Sequence, residues 1–253
     1  MIIEHVSVSR KQCYDQCPAQ YKYKYHDKII SNEPTADHFT YGSIVHKVVE
    51  EYIKGQGKKN IQKIALELLK GEILLENNTK SPQLPDQYKK NFPIHLNNLK
   101  KISDQIGYDG HLEWQFLYDL EPPNKKFIKG FIDRLIIRGE KFFILDYKTT
   151  KKGMWRKNQN TIRNDLQLRT YARIIQKTLG AKPENIRAAL FYVIDSELIS
   201  TRFTEESLSS AEQELIQTYD EIQNSQPNEV MGRTGNHCKF CQFKKICPFY
   251  SLV

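Results

Sequence analysis

The sequence predicts an α/β fold: a central mixed β-sheet flanked by helices, with a mainly helical N-terminal part and a cysteine-rich C-terminal segment. Three observations carry that reading. Residues 111–148 are dense in Phe, Ile and Leu and alternate or run apolar, as strands do. Helical periodicities lie on both sides of this block. Two more strand-like stretches follow an intervening helix, so the chain returns to the same sheet.

The elements are read in order as follows. Residues 6–25 (VSVSRKQCYDQCPAQYKYKY) open with Ser7 and Ser9, either able to cap a short helix in which Cys13, Cys17 and Tyr21 recur every four residues. Pro18 interrupts it. Residues 40–57 read as a helix with an apolar stripe of Ile44, Val45, Val48, Val49 and Tyr52. Two more helices are expected at 60–76 and 84–106, separated by the breaker-rich NNTKSPQLP. Strands are expected at 111–120, 126–138 and 141–148, the last two joined as a hairpin at Gly139-Glu140. A helix at about 159–179 ends at Gly180; strands at 187–194 and 198–204 and a helix at 205–224 complete the series. The expected organisation is one domain over 1–253, with a helical part at 1–110, a sheet core at 111–204, and a helix and cysteine tail at 205–253.

Bulk properties narrow the class. At 253 residues the chain can bury a full core. It contains no run of eighteen apolar residues, so no membrane-spanning helix is expected. The start, MIIEHVSVSRKQC, lacks the basic and apolar regions of a secretory signal, so a cytoplasmic or host-cytoplasmic setting is expected. Thiols stay reduced there, and the five cysteines call for a role other than disulfides. The net charge of +8 favours a polyanionic partner, though charge alone is weak evidence.

The chemistry concentrates in GFIDRLII (130–137) and FFILDYKTT (142–150). Alternation on a strand puts Asp146 and Lys148 on one face, with Leu145 and Tyr147 on the other. Asp133 lies in the neighbouring strand among apolar residues. Two carboxylates and a lysine in a buried sheet are unfavourable unless something pairs them. Mg²⁺ or Mn²⁺ would, because hard cations prefer oxygen ligands; Lys148 could then orient or help deprotonate the attacking water and offset transition-state charge. The plainer alternative is a structural ion pair of Asp133 with Arg134 or Lys148. His46, in GSIVH, stands beside its helix's apolar stripe, where it could offer a ligand or be an ordinary core or surface histidine. Gln167 and Tyr171 share a helix face, as either a substrate-facing pair or part of an amphipathic helix.

The tail reads Cys238-x-x-Cys241-x₅-Cys247-Pro248. Three clustered cysteines in a reduced setting indicate metal. The fourth ligand would be Cys17, Cys13 or His237. Zinc and an iron–sulfur cluster stand level on this chemistry.

Taken in order, SxSRKQCYDQCP, GSIVH, GFIDR, LDYKT, QLRTY and CxxCx₅CP resemble the RecB-like branch of the PD-(D/E)XK nucleases. Within it the likeness is to the iron–sulfur members, the CRISPR-associated adaptation nuclease and the nuclease domain of AddB. The motifs run from residue 7 to 248. The resemblance implies a restriction-endonuclease-like fold and hydrolysis of DNA, as an exonuclease on single strands or ends. It implies His46, Asp133 and Asp146 as ligands of Mg²⁺ or Mn²⁺ and Lys148 as the catalytic lysine. Gln167 and Tyr171 match the QxxxY motif that supports the site and contacts DNA. Cys17, Cys238, Cys241 and Cys247 match the ligands of a [4Fe–4S] cluster, which leaves Cys13 surplus. Partners implied are DNA and the proteins of recombination, CRISPR adaptation or phage replication. The alternative is a catalytically inactive DNA-binding or assembly module of such a complex. A zinc-binding RNA enzyme is a third reading. Two departures stand out: Asp146 occupies a position where many relatives carry glutamate, and no GxxxxGK[ST] loop is present, which implies a stand-alone nuclease.

Overall fold

The computed structural model describes residues 1, 3–30, 36–75, 82–153 and 156–250. The break expected at NNTKSPQLP therefore lies partly outside the described residues. By its contacts the chain divides into two compact units: Met1–Pro34, Gln115–Gly130 and Glu205–Val253 form one, Thr35–Trp114 and Phe131–Thr204 the other.

Five strands form one sheet in sequence order: β1 (His111–Asp119), β2 (Phe127–Arg138), β3 (Lys141–Lys148), β4 (Ile186–Tyr192) and β5 (Glu197–Thr201). β2 and β3 are antiparallel, closed by a tight turn whose Gly139 has φ +59°. β3 and β4 are parallel and β4 and β5 antiparallel, so the sheet is mixed, as the sequence predicts. Parallel neighbours need a crossover, and the helix α7 (Leu166–Leu179) lies in it. That helix begins later than residue 159 because Asp165 caps it, accepting from the Leu168 N–H at 2.9 Å.

In the second unit, α3 (Asp37–Lys54), α4 (Ile61–Lys70), the single turn α5 (Asp86–Lys89) and α6 (Phe92–Ile106) build a helical layer. α4 stops short of residue 76 because Gly71 takes φ +80° and ends it. The helix expected over 84–106 is split, with Pro93 opening the second piece where an N–H is not needed. Ile44, Val45, Val48 and Val49 of α3 pack with Ile64 and Leu68 of α4 and Leu96 and Leu99 of α6. The same core takes in Leu145 and Tyr147 of β3 and Phe191 of β4. The sheet therefore buries the Leu145–Tyr147 face against α3 and α6. Asp146 and Lys148 face the other way, on the side where α7 packs on β3 and β4.

The first unit holds α1 (Val8–Gln16), α2 (Pro18–Tyr21) and α8 (Glu205–Asn224) with the C-terminal tail. Ser7 caps α1, accepting from the Arg10 N–H at 3.1 Å. Cys17 is extended and Pro18 starts the next helix, which is the interruption read from the sequence. Val6 pairs with Ile128, and Tyr219 donates to the Ile3 carbonyl at 3.2 Å, so the N-terminal segment is tied to β2 and α8.

Gly110, just before β1, has φ +109°, and a Cβ there would sit 2.6 Å from the Leu135 carbonyl. Gly110→Ala is expected to lower stability by about 1 kcal/mol or more, read from the denaturant midpoint. An unchanged midpoint would contradict the assigned backbone.

Candidate active site

The register of β2 and β3 pairs Arg134 with Leu145, and one further step along it sets Asp133 opposite Asp146. Two acids from different strands are thereby side by side on one face. Asp146 is 1% exposed, and its Oδ2 lies 2.8 Å from the Lys148 ammonium. Asp133 Oδ2 accepts from the Tyr147 backbone N–H at 2.8 Å. α3 delivers His46 to the same carboxylate, with Nδ1 at 3.4 Å. His46 Nε2 lies 2.9 Å from the Tyr147 carbonyl, which can only accept, so the proton sits on Nε2. In the neutral ring the Nδ1 lone pair then faces the carboxylate. Two acceptors face each other, an arrangement a cation resolves.

A third group completes the cluster, one not among the sequence candidates. Glu113 of β1 has a carboxylate oxygen within 4.8 Å of ligand atoms of both His46 and Asp133. It holds φ +46°, a left-handed conformation unusual for a non-glycine residue inside a strand. Such strain gathers where function demands a particular side-chain direction. The available signal was an acid in HLEWQFLYD, an otherwise largely apolar strand.

Burial raises the Asp133 carboxyl to about 7, Asp146 beside it adds to the rise, and His46 and Lys148 oppose it. Burial alone would lower the Lys148 ammonium, but Asp146 and Asp133 outweigh that and raise its pKa. Lys148 is therefore a cation, suited to offsetting negative charge rather than to taking a proton. A relay fixes it: Lys148 Nζ donates to Gln167 Oε1 at 2.8 Å, and Gln167 Nε2 donates to Tyr171 Oη at 2.7 Å. Burial, then Asp146 and Asp133, hold the Tyr171 phenol protonated well above its ordinary range. All six sequence-predicted residues thus fall in one place, with Glu113 added. The ion-pair alternative takes a different form here: Lys148 pairs with Asp146, and Arg134 is turned to the opposite face, onto backbone carbonyls.

One imidazole and two carboxylates at this spacing, with a third carboxylate alongside, suit a hard divalent ion. The unmet charge of Asp133 is the observation that such an ion would answer.

The remaining candidates gather in the first unit. Cys17, Cys238, Cys241 and Cys247 line one pocket with Tyr23, Lys244 and Phe249. Burial raises the Cys241 thiol, and Cys17, Cys247 and Cys238 raise it further. Cys13 lies near Cys17 and Cys241, and burial pushes its thiol to about 11. His237 turns its Nε2 to the Arg233 carbonyl at 3.0 Å.

A mixed sheet with an acid–x–lysine on β3 and a second acid opposite it on β2 defines a restriction-endonuclease-like protein. The sequence profile of the PD-(D/E)XK nuclease superfamily matches residues 5–248, and the chain belongs to that superfamily. It is accordingly a nuclease by family. Among solved structures it is similar to a Eubacterium rectale protein whose exonuclease role is itself an assignment, at 15% identity and TM-score 0.54, over 96% of this chain and 89% of that one. That likeness bears on the fold. A second structure, SSO0001, is 17% identical over 91% and 94% of the two chains, with a TM-score of 0.38. No protein of curated function matches the sequence. No helix among the described residues is long and apolar enough to cross a membrane.

The raised pKa of Asp133 makes a signed prediction. Between its unfolded value near 4 and about 7, the folded state binds the extra proton, so this group destabilises the metal-free protein as pH rises. A divalent ion bound beside Asp133 would remove that penalty. The Mn²⁺-induced rise in melting temperature should therefore be small at pH 5 and largest above pH 7. An increment independent of pH would contradict the assignment.

Proposed function

We propose that this chain is a Mg²⁺- or Mn²⁺-dependent deoxyribonuclease of the RecB-like, iron–sulfur branch, acting as an exonuclease on single strands or DNA ends. The convergence of His46, Glu113 and Asp133 beside the Asp146–Lys148 pair carries this reading. The exonuclease assignment of the Eubacterium rectale protein agrees with it.

His46, Glu113, Asp133 and Asp146 would hold the ion, which would supply polarisation of the scissile phosphate and a more acidic water. Lys148 then stands where charge develops on the non-bridging oxygens, fixed by Gln167 and Tyr171. The water oxygen forms a bond to phosphorus as the P–O ester bond opposite it breaks. The leaving alkoxide takes a proton from solvent, and the attacking water loses one to solvent. Asp146→Asn, Asp133→Asn and Lys148→Ala should each cut the Mn²⁺-dependent rate on end-labelled DNA by on the order of 10²-fold or more. Variants that cut like the parent, or an unaltered protein that binds DNA tightly without cutting, would defeat the proposal. The second outcome would indicate a non-catalytic assembly module.

Cys17, Cys238, Cys241 and Cys247 are the proposed ligands of a [4Fe–4S] cluster. The four line one pocket, and a remote cysteine joined to a CxxCx₅C run is compatible with such a cluster. Cys17 and Cys238 are far apart in sequence, and a crosslink of that span contributes several kcal/mol, on the order of a long-loop disulfide. The protein isolated without oxygen should be brown and should lose colour and melting temperature on iron removal. A colourless protein with stoichiometric zinc would overturn the cluster.

A further inference from the structure

Arg134 is fully buried, and among the described residues it forms no ion pair with a carboxylate. It sits next to Asp133 in the chain but on the opposite face of β2. Its Nη2 donates to the carbonyls of Gly107 and Asp109 at 2.6 and 3.0 Å, which pins the connection between α6 and β1. Among the described residues its Nε and Nη1 find no partner at hydrogen-bond geometry, and neither do Tyr147 Oη or Ser103 Oγ. These atoms are neighbours. Burial pushes the Tyr147 phenol to about 12, while the Arg134 guanidinium and the Ser103 hydroxyl pull it back down. A buried cation, a phenol and a serine hydroxyl thus form one polar knot beneath the sheet.

The knot matters because of what the rest of Tyr147 does. Its peptide N–H binds Asp133 Oδ2 at 2.8 Å, and its carbonyl accepts from His46 Nε2 at 2.9 Å. Its ring stands edge-on to His46 and to Phe191. A residue that fixes the Tyr147 ring therefore fixes the peptide that orients two metal-facing side chains. The pinned connection also leads within four residues of Asp109 to Glu113, the third.

We propose that Arg134 is a positioning residue for the metal site, acting through the Tyr147 ring on β3 and through the Gly107–Asp109 connection before β1. It touches neither ion nor substrate. This inference rests on the metal-site reading above. An uncompensated guanidinium is an unfavourable core residue by itself, and replacing such a group with an apolar side chain of similar size is often neutral or stabilising. Retaining it is understandable if it orders the groups around it. Groups that orient metal ligands typically affect affinity by about 10- to 100-fold when removed.

The test is calorimetric titration of Mn²⁺ into the full chain at pH 8, with melting temperature measured alongside. Arg134→Met should weaken Mn²⁺ binding by about tenfold or more, and Arg134→Lys should recover part of the loss. Tyr147→Phe and Ser103→Ala, which keep the packing, should each weaken binding severalfold. Should Arg134→Met not fold, these two carry the test. A lowered melting temperature with unchanged Mn²⁺ affinity across the folded variants would reduce Arg134 to a structural residue and overturn the proposal. Asp133→Asn is the control: if it too leaves affinity unchanged, the metal-site reading fails, and the Arg134 proposal fails with it. If it abolishes binding while the Arg134, Tyr147 and Ser103 variants bind normally, the Arg134 proposal alone fails.

Discussion

Two carboxylates are held side by side, on adjacent strands, under a sheet face that solvent scarcely reaches. Asp133 and Asp146 repel one another, and burial removes the water that would screen them. The surrounding architecture answers that constraint. Lys148 neutralises one acid, the Tyr147 N–H and His46 attend the other, and the cluster of His46, Glu113 and Asp133 has the composition that suits a divalent ion. The hairpin of β2 and β3 is what makes the juxtaposition unavoidable, since its short turn locks the register.

Each neighbouring element contributes groups to the site. α3 is anchored by its Ile44, Val45, Val48 and Val49 stripe, leaving His46 half-buried at the edge of the stripe. β1 accepts a left-handed residue to aim Glu113. α7 buries its apolar face on β3 and β4 and thereby fixes the Gln167–Tyr171 relay against Lys148. The scaffold is apolar, and the groups it carries are polar and charged. Proteins concentrate such conflict where chemistry occurs.

Much of this was legible beforehand. The apolar block around Asp133 and Asp146, the strand alternation that aligned Lys148 with Asp146, and the hairpin at Gly139 all follow from periodicity. The mixed sheet also follows, because an intervening helix returns the chain in parallel. Helix starts were less legible: α7 begins at its Asp165 cap, which periodicity alone does not mark. Glu113 escaped because its role depends on a backbone turn inside a strand, a feature that alternation patterns conceal. Arg134 was read as a candidate partner of Asp133 because they adjoin in sequence, whereas the pleat sends them to opposite faces. His46 was weak by residue chemistry and gained weight only through the family likeness. Its position against Asp133 is a long-range fact, set by how α3 lies on the sheet.

The central claim is that proton and divalent ion compete for the Asp133 site. Its most direct test counts protons released when Mn²⁺ binds, by titration in buffers of differing ionisation enthalpy. With Asp133 at about 7, close to one proton should leave per ion bound at pH 6 and almost none at pH 8.5. Asp133→Asn, at Mn²⁺ concentrations where it still binds, should release fewer protons per ion at pH 6 than the parent. Binding with no proton release at pH 6, or release undiminished in Asp133→Asn, would contradict the account.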